Sequence, residues 1–362
     1  MRLYRTRCRH HTATCRNERV SGGPGGRGQG TAGFHDGAIG RLNHYRSDSM
    51  SKVAVVQKSP VVLNRDATIA RAVDLLDQAA SQGAEMVVFT EAFIPGYPAW
   101  IWRLRPGGDW GTTEALHKRL LENAVDLESN QLDPLYQAAR KHQLTVVCGM
   151  HERDHGCSRA TLYNTVATIG PDGLLMNRHR KLMPTNPERM VWGAGDASGL
   201  RVVDTPVGRI GTLICWESYM PLSRYSLYAQ GIDIYIAPTY DSGEDWLGSM
   251  RHIAREAGCW VINSGTLLHA SDMPDDLEAR ATLYPDADEW INGGDSAIIA
   301  PGGELVAGPL RNEEGILYAE IDIERAAMAR RTLDVVGHYS RPDIFTLLVN
   351  ANAYAPISFS EQ

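Results

Sequence analysis

Short apolar runs punctuate the chain, and between them apolar residues recur at three- and four-residue spacing. Val53-Ala-Val-Val56 is the first run and reads as a buried strand. Over 68–82, Ile69, Ala72, Val73, Leu76 and Ala79 share one face of a helix that Gly83 stops. Met86-Val-Val-Phe89 is a second strand, with Thr90 and Glu91 at its end. Strand, helix, strand predicts a parallel pair joined by a right-handed crossover.

The alternation continues. Residues 113–142 read as helical, and Thr145-Val-Val-Cys-Gly149 as a strand. Tyr163–Ile169 and Gly173–Asn177 flank the turn Gly170-Pro-Asp-Gly173, an antiparallel hairpin signal. Gly211-Thr-Leu-Ile-Cys-Trp-Glu-Ser218 reads as a buried strand that stops at Cys215, where polarity changes and the chain bends. Pro221–Gln230 is a helix closed by Gly231, Ile232–Ala237 a strand, Ser249–Ala257 a helix and Trp260–Asn263 a strand. Ala297–Ala300 and Ile316–Ile321 add two strands around a Pro-Gly-Gly turn. Buried strands alternating with amphipathic helices predict an α/β fold with helices covering the sheet surfaces.

Residues 1–49 break the pattern. They hold nine arginines, no lysine, three acidic residues and nine glycines, without helical or strand periodicity. Such a segment buries too little apolar surface to offset its ordering entropy and is expected to be a disordered leader. Gly23, Gly25 and Gly28 satisfy G-x-G-x-x-G, but no strand precedes them and no helix follows, so a nucleotide-binding reading fails. No apolar core of a secretory signal is present in this leader. The folded domain is expected over 50–345, starting at Met50, with a short tail over 346–362.

Without the leader the chain keeps 27 of its 36 basic residues and 40 of its 43 acidic ones, a formal net charge of −13. So acidic a body disfavours nucleic acid and anionic membranes as partners and points to small molecules or copies of itself. No run of eighteen apolar residues occurs, so no membrane span is expected. The six cysteines (8, 15, 148, 157, 215 and 259) form no C-x-x-C pair and no metal-finger spacing. Free thiols in a reduced, cytoplasmic protein are the expectation. Residues 271–295 carry eight carboxylates against Arg280 alone and read as a solvated excursion. Asp286-Ala-Asp288 there lacks the glycine and terminal glutamate of a calcium loop.

Three side chains follow an apolar strand or strand-like run: Glu91, Lys181 and Cys215. In an open sheet, strand ends on one side gather around the ligand crevice. A thiol there is either a small packed hydrophobe or a nucleophile. A carboxylate can take its proton and later activate water, and an ammonium can stabilise negative charge on the substrate. A Cys–His pair using His252 or His269 is the competing arrangement. Tyr97, Trp100, Trp102 and Trp110 cluster just after Glu91, and such rings either pack a core or interface or line a pocket.

Three stretches together carry a resemblance. Phe89-Thr-Glu91-Ala-Phe-Ile-Pro-Gly-Tyr-Pro98, His179-Arg-Lys181-Leu-Met-Pro-Thr-Asn-Pro-Glu188-Arg and Ile214-Cys215-Trp-Glu217 resemble the nitrilase superfamily in order and spacing, over about residues 51–345. The resemblance implies an α-β-β-α sandwich that pairs with a second copy to give α-β-β-α-α-β-β-α. It implies Glu91 as general base, Lys181 as charge stabiliser, Cys215 as nucleophile and Glu188 as the glutamate that orients lysine and substrate. The backbone N–H of Trp216 would join Lys181 in holding the anionic intermediate. Tyr97, Trp100, Trp102 and Trp192 are the candidate lining of the substrate pocket.

Cys-Trp-Glu, Lys-Leu-Met-Pro-Thr and Gly337-His-Tyr-Ser-Arg-Pro-Asp343 are similar to the nitrilase branch, which hydrolyses a nitrile to acid and ammonia without metal, nucleotide or flavin. An amidase, a cyanide-hydrating enzyme and a non-catalytic assembly module are the other readings. The leader has no counterpart in the family, and the tail after Asp343 is shorter than the one that builds spiral oligomers in many relatives.

Overall fold

The computed structural model describes residues 50–353 and 357. The leader, 1–49, lies outside the described residues, as does part of the tail. Among the described residues the chain forms two sheets with helices on their outer faces. The first sheet is built from β1 (Met50–Gln57), β2 (Met86–Val88), β3 (Thr145–Arg153), β4 (Leu162–Ile169) and β5 (Leu175–Arg180) in that spatial order. β1, β2 and β3 run parallel, β4 returns antiparallel to β3, and β5 turns back antiparallel to β4 as the hairpin signal requires.

The second sheet places β6 (Val203–Thr205), β7 (Gly208–Thr212), β8 (Ile234–Thr239), β9 (Trp260–Gly265), β11 (Trp290–Ile299) and β10 (Leu267–His269) side by side. β7, β8 and β9 are parallel, and β12 (Leu305–Arg311) pairs with the free stretch of β11. The last strand, β13 (Gly315–Asp322), crosses back and pairs antiparallel with β1, from Met50 against Asp322 to Gln57 against Gly315.

Period-two alternation explains the layering. In β1, Val53 and Val55 face the space between the sheets with Val88, Ile210, Ile236, Ile262 and Ile298. Ala54 and Val56 point the other way, onto α1 (Arg65–Ser81) and α3 (Asp133–His142). On the far side, Tyr235, Ala237 and Val261 pack under α4 (Pro221–Tyr228) and α5 (Glu244–Ala257). The result is an α-β-β-α sandwich.

Four expectations change. The helical stretch 113–142 is two helices, α2 (Trp110–Asn123) and α3, because Val125 leaves the helix to bridge Glu152 beside β3. The Pro-Gly-Gly turn leads from β11 into β12, a largely exposed strand whose short apolar run is broken by Gly308-Pro309. The acidic segment 271–295 is not simply a solvated excursion. It contains the short α6 (Arg280–Leu283), and Met273, Leu277, Leu283 and Tyr284 are buried against Tyr97 and Trp100. Finally, the strand before Cys215 ends at Thr212, and Cys215 opens a 3₁₀ turn, Cys215–Tyr219.

Candidate active site

Glu91 leaves the carboxyl end of β2, Lys181 that of β5, Cys215 follows β7, and Thr239 ends β8. All four strands point the same way, so their ends gather at one rim shared by both sheets. Glycine lets the backbones close there. A Cβ on Gly149 of β3 would collide with the carbonyl oxygen of Thr90 and the Cα of Glu91.

The three predicted side chains and Glu188 meet in a buried cluster. Lys181 Nζ donates to Glu91 Oε1 at 2.8 Å and to Glu188 Oε2 at 2.7 Å. Glu91 Oε1 also accepts from Asn164 Nδ2 at 2.7 Å, and Oε2 from the N–H of Tyr240 at 2.7 Å. Glu188 sits in the 3₁₀ turn Asn186–Met190, where it accepts the N–H of Thr185 at 2.6 Å and the hydroxyl of Tyr97 at 2.8 Å. Cys215 Sγ accepts a hydrogen bond from Thr239 Oγ1 at 3.2 Å.

Cys215 is held at φ +54°, the left-handed region that a residue with a Cβ enters only at a cost of about 1–2 kcal/mol. That bend turns the thiol inward at the start of a helix whose first N–H groups have no partner within it. Trp216 is the second residue of that turn; its ring is half exposed and donates to Asp241 Oδ2 at 2.7 Å. Behind it, Glu217 is buried and accepts the N–H of Ile214 and of Leu182.

Electrostatics follow from burial. Removal from water raises the pKa of Glu91; Lys181 pulls it back and Glu188 pushes it up again, and the net shift is upward. Burial also pushes the Cys215 thiol up, with Glu91 adding and Lys181 opposing, so the resting sulfur keeps its proton. Burial works against the Lys181 ammonium, but Glu91, Cys215 and Glu188 outweigh it and keep the lysine charged. The cluster can pass a proton from thiol to carboxylate beside a fixed positive charge.

The aromatic residues divide. Tyr97 is buried, lies flat on Tyr240 with centroids 3.7 Å apart, and meets Trp192 edge-on at 5.7 Å. Trp102 is partly exposed and donates from Nε1 to the Tyr97 hydroxyl at 3.0 Å. Trp100 is buried in the cluster with Leu116, Leu120 and Leu283, which also holds Tyr97 and Trp192. Trp192 Nε1 donates to His151 Nδ1 at 3.0 Å, which leaves Nε2 as the protonated nitrogen, donating to the carbonyl of Gly96 at 2.9 Å.

Neither histidine of the competing pair joins the thiol. His252 stands on the exposed face of α5, 3.7 Å from Glu256, and His269 packs edge-on against Trp290. His252 instead lines an outer cavity of ≈ 410 Å³ with Ser218, Tyr219, Arg224 and Ser249.

Asn164, Thr239 and Tyr240 went unnoticed in the sequence. Thr239 and Tyr240 follow the strand run Ile232–Ala237, so the strand-end rule that found Glu91 would have found them. Asn164 sits within β4, with nothing in its sequence context to mark it.

Fold and site together define a class: a two-sheet sandwich whose strand ends hold a thiol, an ammonium and two carboxylates in one buried cluster. The chain belongs to the carbon-nitrogen hydrolase family, whose profile matches residues 52–331, and thus to the nitrilase superfamily. It is a hydrolase acting on carbon–nitrogen bonds. It is 38% identical to Nitrilase 2 of Arabidopsis thaliana over 88% of this chain and 94% of that protein. It is 40% identical to a bifunctional nitrilase/nitrile hydratase of Nicotiana tabacum, over 85% of this chain and 88% of the other. Its fold is that of a carbon-nitrogen hydrolase from Helicobacter pylori, with a TM-score of 0.61 and 22% identity over 82% of this chain and 97% of that one. Among the described residues no helix is long and apolar enough to cross a membrane.

Proposed function

We infer that this chain is a nitrilase, R–C≡N + 2 H₂O → R–COOH + NH₃, with Cys215 as nucleophile. The observation that carries the reading is Lys181 clamped between Glu91 and Glu188 in the buried cluster that holds the Cys215 thiol. Sγ adds to the nitrile carbon while its proton passes to Glu91 and on to the nitrile nitrogen, giving a thioimidate. Lys181 and the N–H of Trp216 stabilise the negative charge that develops on nitrogen. Water then adds to the same carbon as Glu91 takes its proton. Glu91 passes that proton to nitrogen and then relays the second one from the new hydroxyl, so that as the carbonyl forms the C–N bond breaks, ammonia leaves and a thioester remains. A second water, again activated by Glu91, cleaves the C–S bond and restores the thiol.

The tobacco relative's name supports a second product from the same site. If the C–S bond of the tetrahedral intermediate breaks before the C–N bond, the amide is released. Ammonia and amide measured together across aliphatic, aryl, arylacetic and dinitrile substrates, cyanide and simple amides test the reading. Ammonia from nitriles supports it; turnover of amides alone overturns it in favour of an amidase, and turnover of cyanide alone in favour of a cyanide-hydrating enzyme.

Self-association belongs to the same reading. Trp216, Tyr219, Met220 and Leu222 form an exposed apolar strip beside α4, which supports pairing of two copies. A monomer by sedimentation at micromolar concentration would remove that part.

A further inference from the structure

Thr239 is the only side chain that hydrogen-bonds the Cys215 sulfur among the described residues, at 3.2 Å from Oγ1 to Sγ. A threonine hydroxyl has one proton to give and two lone pairs to receive. Here the N–H of Asp241 donates to Oγ1 at 2.8 Å, which occupies a lone pair and leaves the hydroxyl proton to point at sulfur. The hydroxyl is held in place. Thr239 is fully buried, and its backbone carbonyl accepts from the N–H of Thr266 at 2.8 Å and from the hydroxyls of Thr266 at 3.0 Å and Thr90 at 3.3 Å.

We propose that Thr239 is a catalytic residue that donates a hydrogen bond to the Cys215 sulfur, stabilises it as a thiolate during attack, and aims it at the substrate carbon. A donor to a charged atom is worth more than one to a neutral atom, so the bond strengthens as the thiol proton leaves. It is also present again when the thioester breaks and sulfur departs. Around the sulfur, burial, Glu91 and Glu188 make a thiolate harder to form, and Lys181 is the opposing charge. Lys181 is already shared between two carboxylates. In such surroundings a neutral donor aimed at sulfur helps without adding a charge that would itself need a partner.

This rests on Cys215 as nucleophile, so the test reads the sulfur separately from turnover. The rate of Cys215 carbamidomethylation by iodoacetamide, located by peptide mass spectrometry, is followed against pH in wild type, Thr239→Val and Thr239→Ser. Valine keeps the shape and removes the donor, and serine keeps the donor. If the valine variant does not fold, Thr239→Ala replaces it. The expected result is a valine profile displaced about one pH unit upward, with alkylation near pH 7 slowed about tenfold and ammonia release slowed at least as much, while the serine profile stays with wild type. A valine or alanine profile superimposed on wild type overturns the proposal, as does a serine profile displaced with the valine one. Failure of the underlying reading looks different: Cys215→Ala would then keep its turnover whatever the alkylation profiles show.

Discussion

His179 Nε2 lies 3.0 Å from Glu217 Oε2, and both side chains are buried. The same carboxylate takes the N–H of Leu182 at 2.6 Å on one oxygen and that of Ile214 at 2.6 Å on the other. One anion therefore ties the residue after Lys181 to the residue before Cys215. Glu217→Gln would set an amide NH₂ against a backbone N–H. The expected outcome is a stability loss of about 2 kcal/mol and at least tenfold slower turnover with KM little changed. Glu217→Asp should fall between the two. Urea melts and steady-state kinetics on the same samples check this.

Cys215→Ala should abolish turnover and leave the fold intact, since alanine keeps the left-handed backbone and loses only the sulfur. Cys215→Gly should be equally inactive but about 1 kcal/mol more stable than Cys215→Ala, because glycine relieves φ +54°. Cys148→Ala and Cys259→Ala should keep activity and cost about 1 kcal/mol each as core changes. Both sulfurs are wholly enclosed in packed apolar clusters, so neither should react with iodoacetamide at neutral pH in the folded protein.

Lys181→Arg should be almost as damaging as Lys181→Ala. The ammonium is fully buried, 2.8 Å and 2.7 Å from two carboxylates, a space shaped for a compact charge and not for a planar fork. A hundredfold or greater loss of kcat is expected in both. An arginine variant with a tenth of wild-type activity would make Lys181 a structural cation.

Two pH effects share one origin, burial, and shift their groups in opposite directions. Glu91 must be ionised to act as a base, and burial raises its pKa above 4.5, so the acid limb of kcat/KM should fall above that value. His151 is held neutral by burial, with its pKa lowered to about 4 from 6.5. A depressed folded-state pKa gives stability that is present above pH 6.5 and lost as pH falls towards 4. The loss is on the order of 3 kcal/mol by linkage. Urea denaturation at pH 7 and pH 4.5 should show it, and His151→Gln should flatten the difference.

Tyr97→Phe removes the donor to Glu188 and the acceptor for Trp102 while keeping the stack on Tyr240. Relative rates for small aliphatic and aryl nitriles should shift in Tyr97→Ala or Trp192→Ala, since one methylene in such a pocket is worth about 1–3 kcal/mol of discrimination. Trp100→Ala should act chiefly on stability, by about 3–5 kcal/mol, as a large ring lost from a packed cluster. Equal loss on every substrate in all three would place specificity elsewhere.

Glu91 and Cys215 were legible because each follows an apolar run, and strand ends on one side converge; Lys181 follows Asn177-Arg-His-Arg180, a basic stretch, and was legible through the motif around it. The partners that set their chemistry were less so. Glu217 was visible only as a letter of the cysteine motif, because its two backbone contacts join segments 32 residues apart, Leu182 to Ile214. Asn164 looks like any polar residue on a hairpin. The segment 271–295 misled for a related reason: its carboxylates dominate the composition while four well-spaced apolar side chains do the packing. Periodicity also overran the strand before Cys215, since Leu213 and Ile214 are as apolar as the strand they extend.

Glu91 and Lys181 hang from one sheet, while Cys215, Thr239 and the Tyr240 N–H that grips Glu91 hang from the other. The polar ties that cross between the layers near them are Glu217 to His179 and Leu182, and Thr90 to Thr239, Ser264 and Thr266, with Gln57 to Ser296 further along. The apolar seam between the sheets has no directional lock of its own. With Cys215 as nucleophile and Glu91 as base, as proposed above, catalysis would rest on those ties holding the two sheets in alignment. A slip of an ångström would separate thiol from base while every strand stayed paired within its own layer. In rising urea, turnover should fade before the circular dichroism of either sheet changes, and a disulfide stitched across the seam should bring the two curves together.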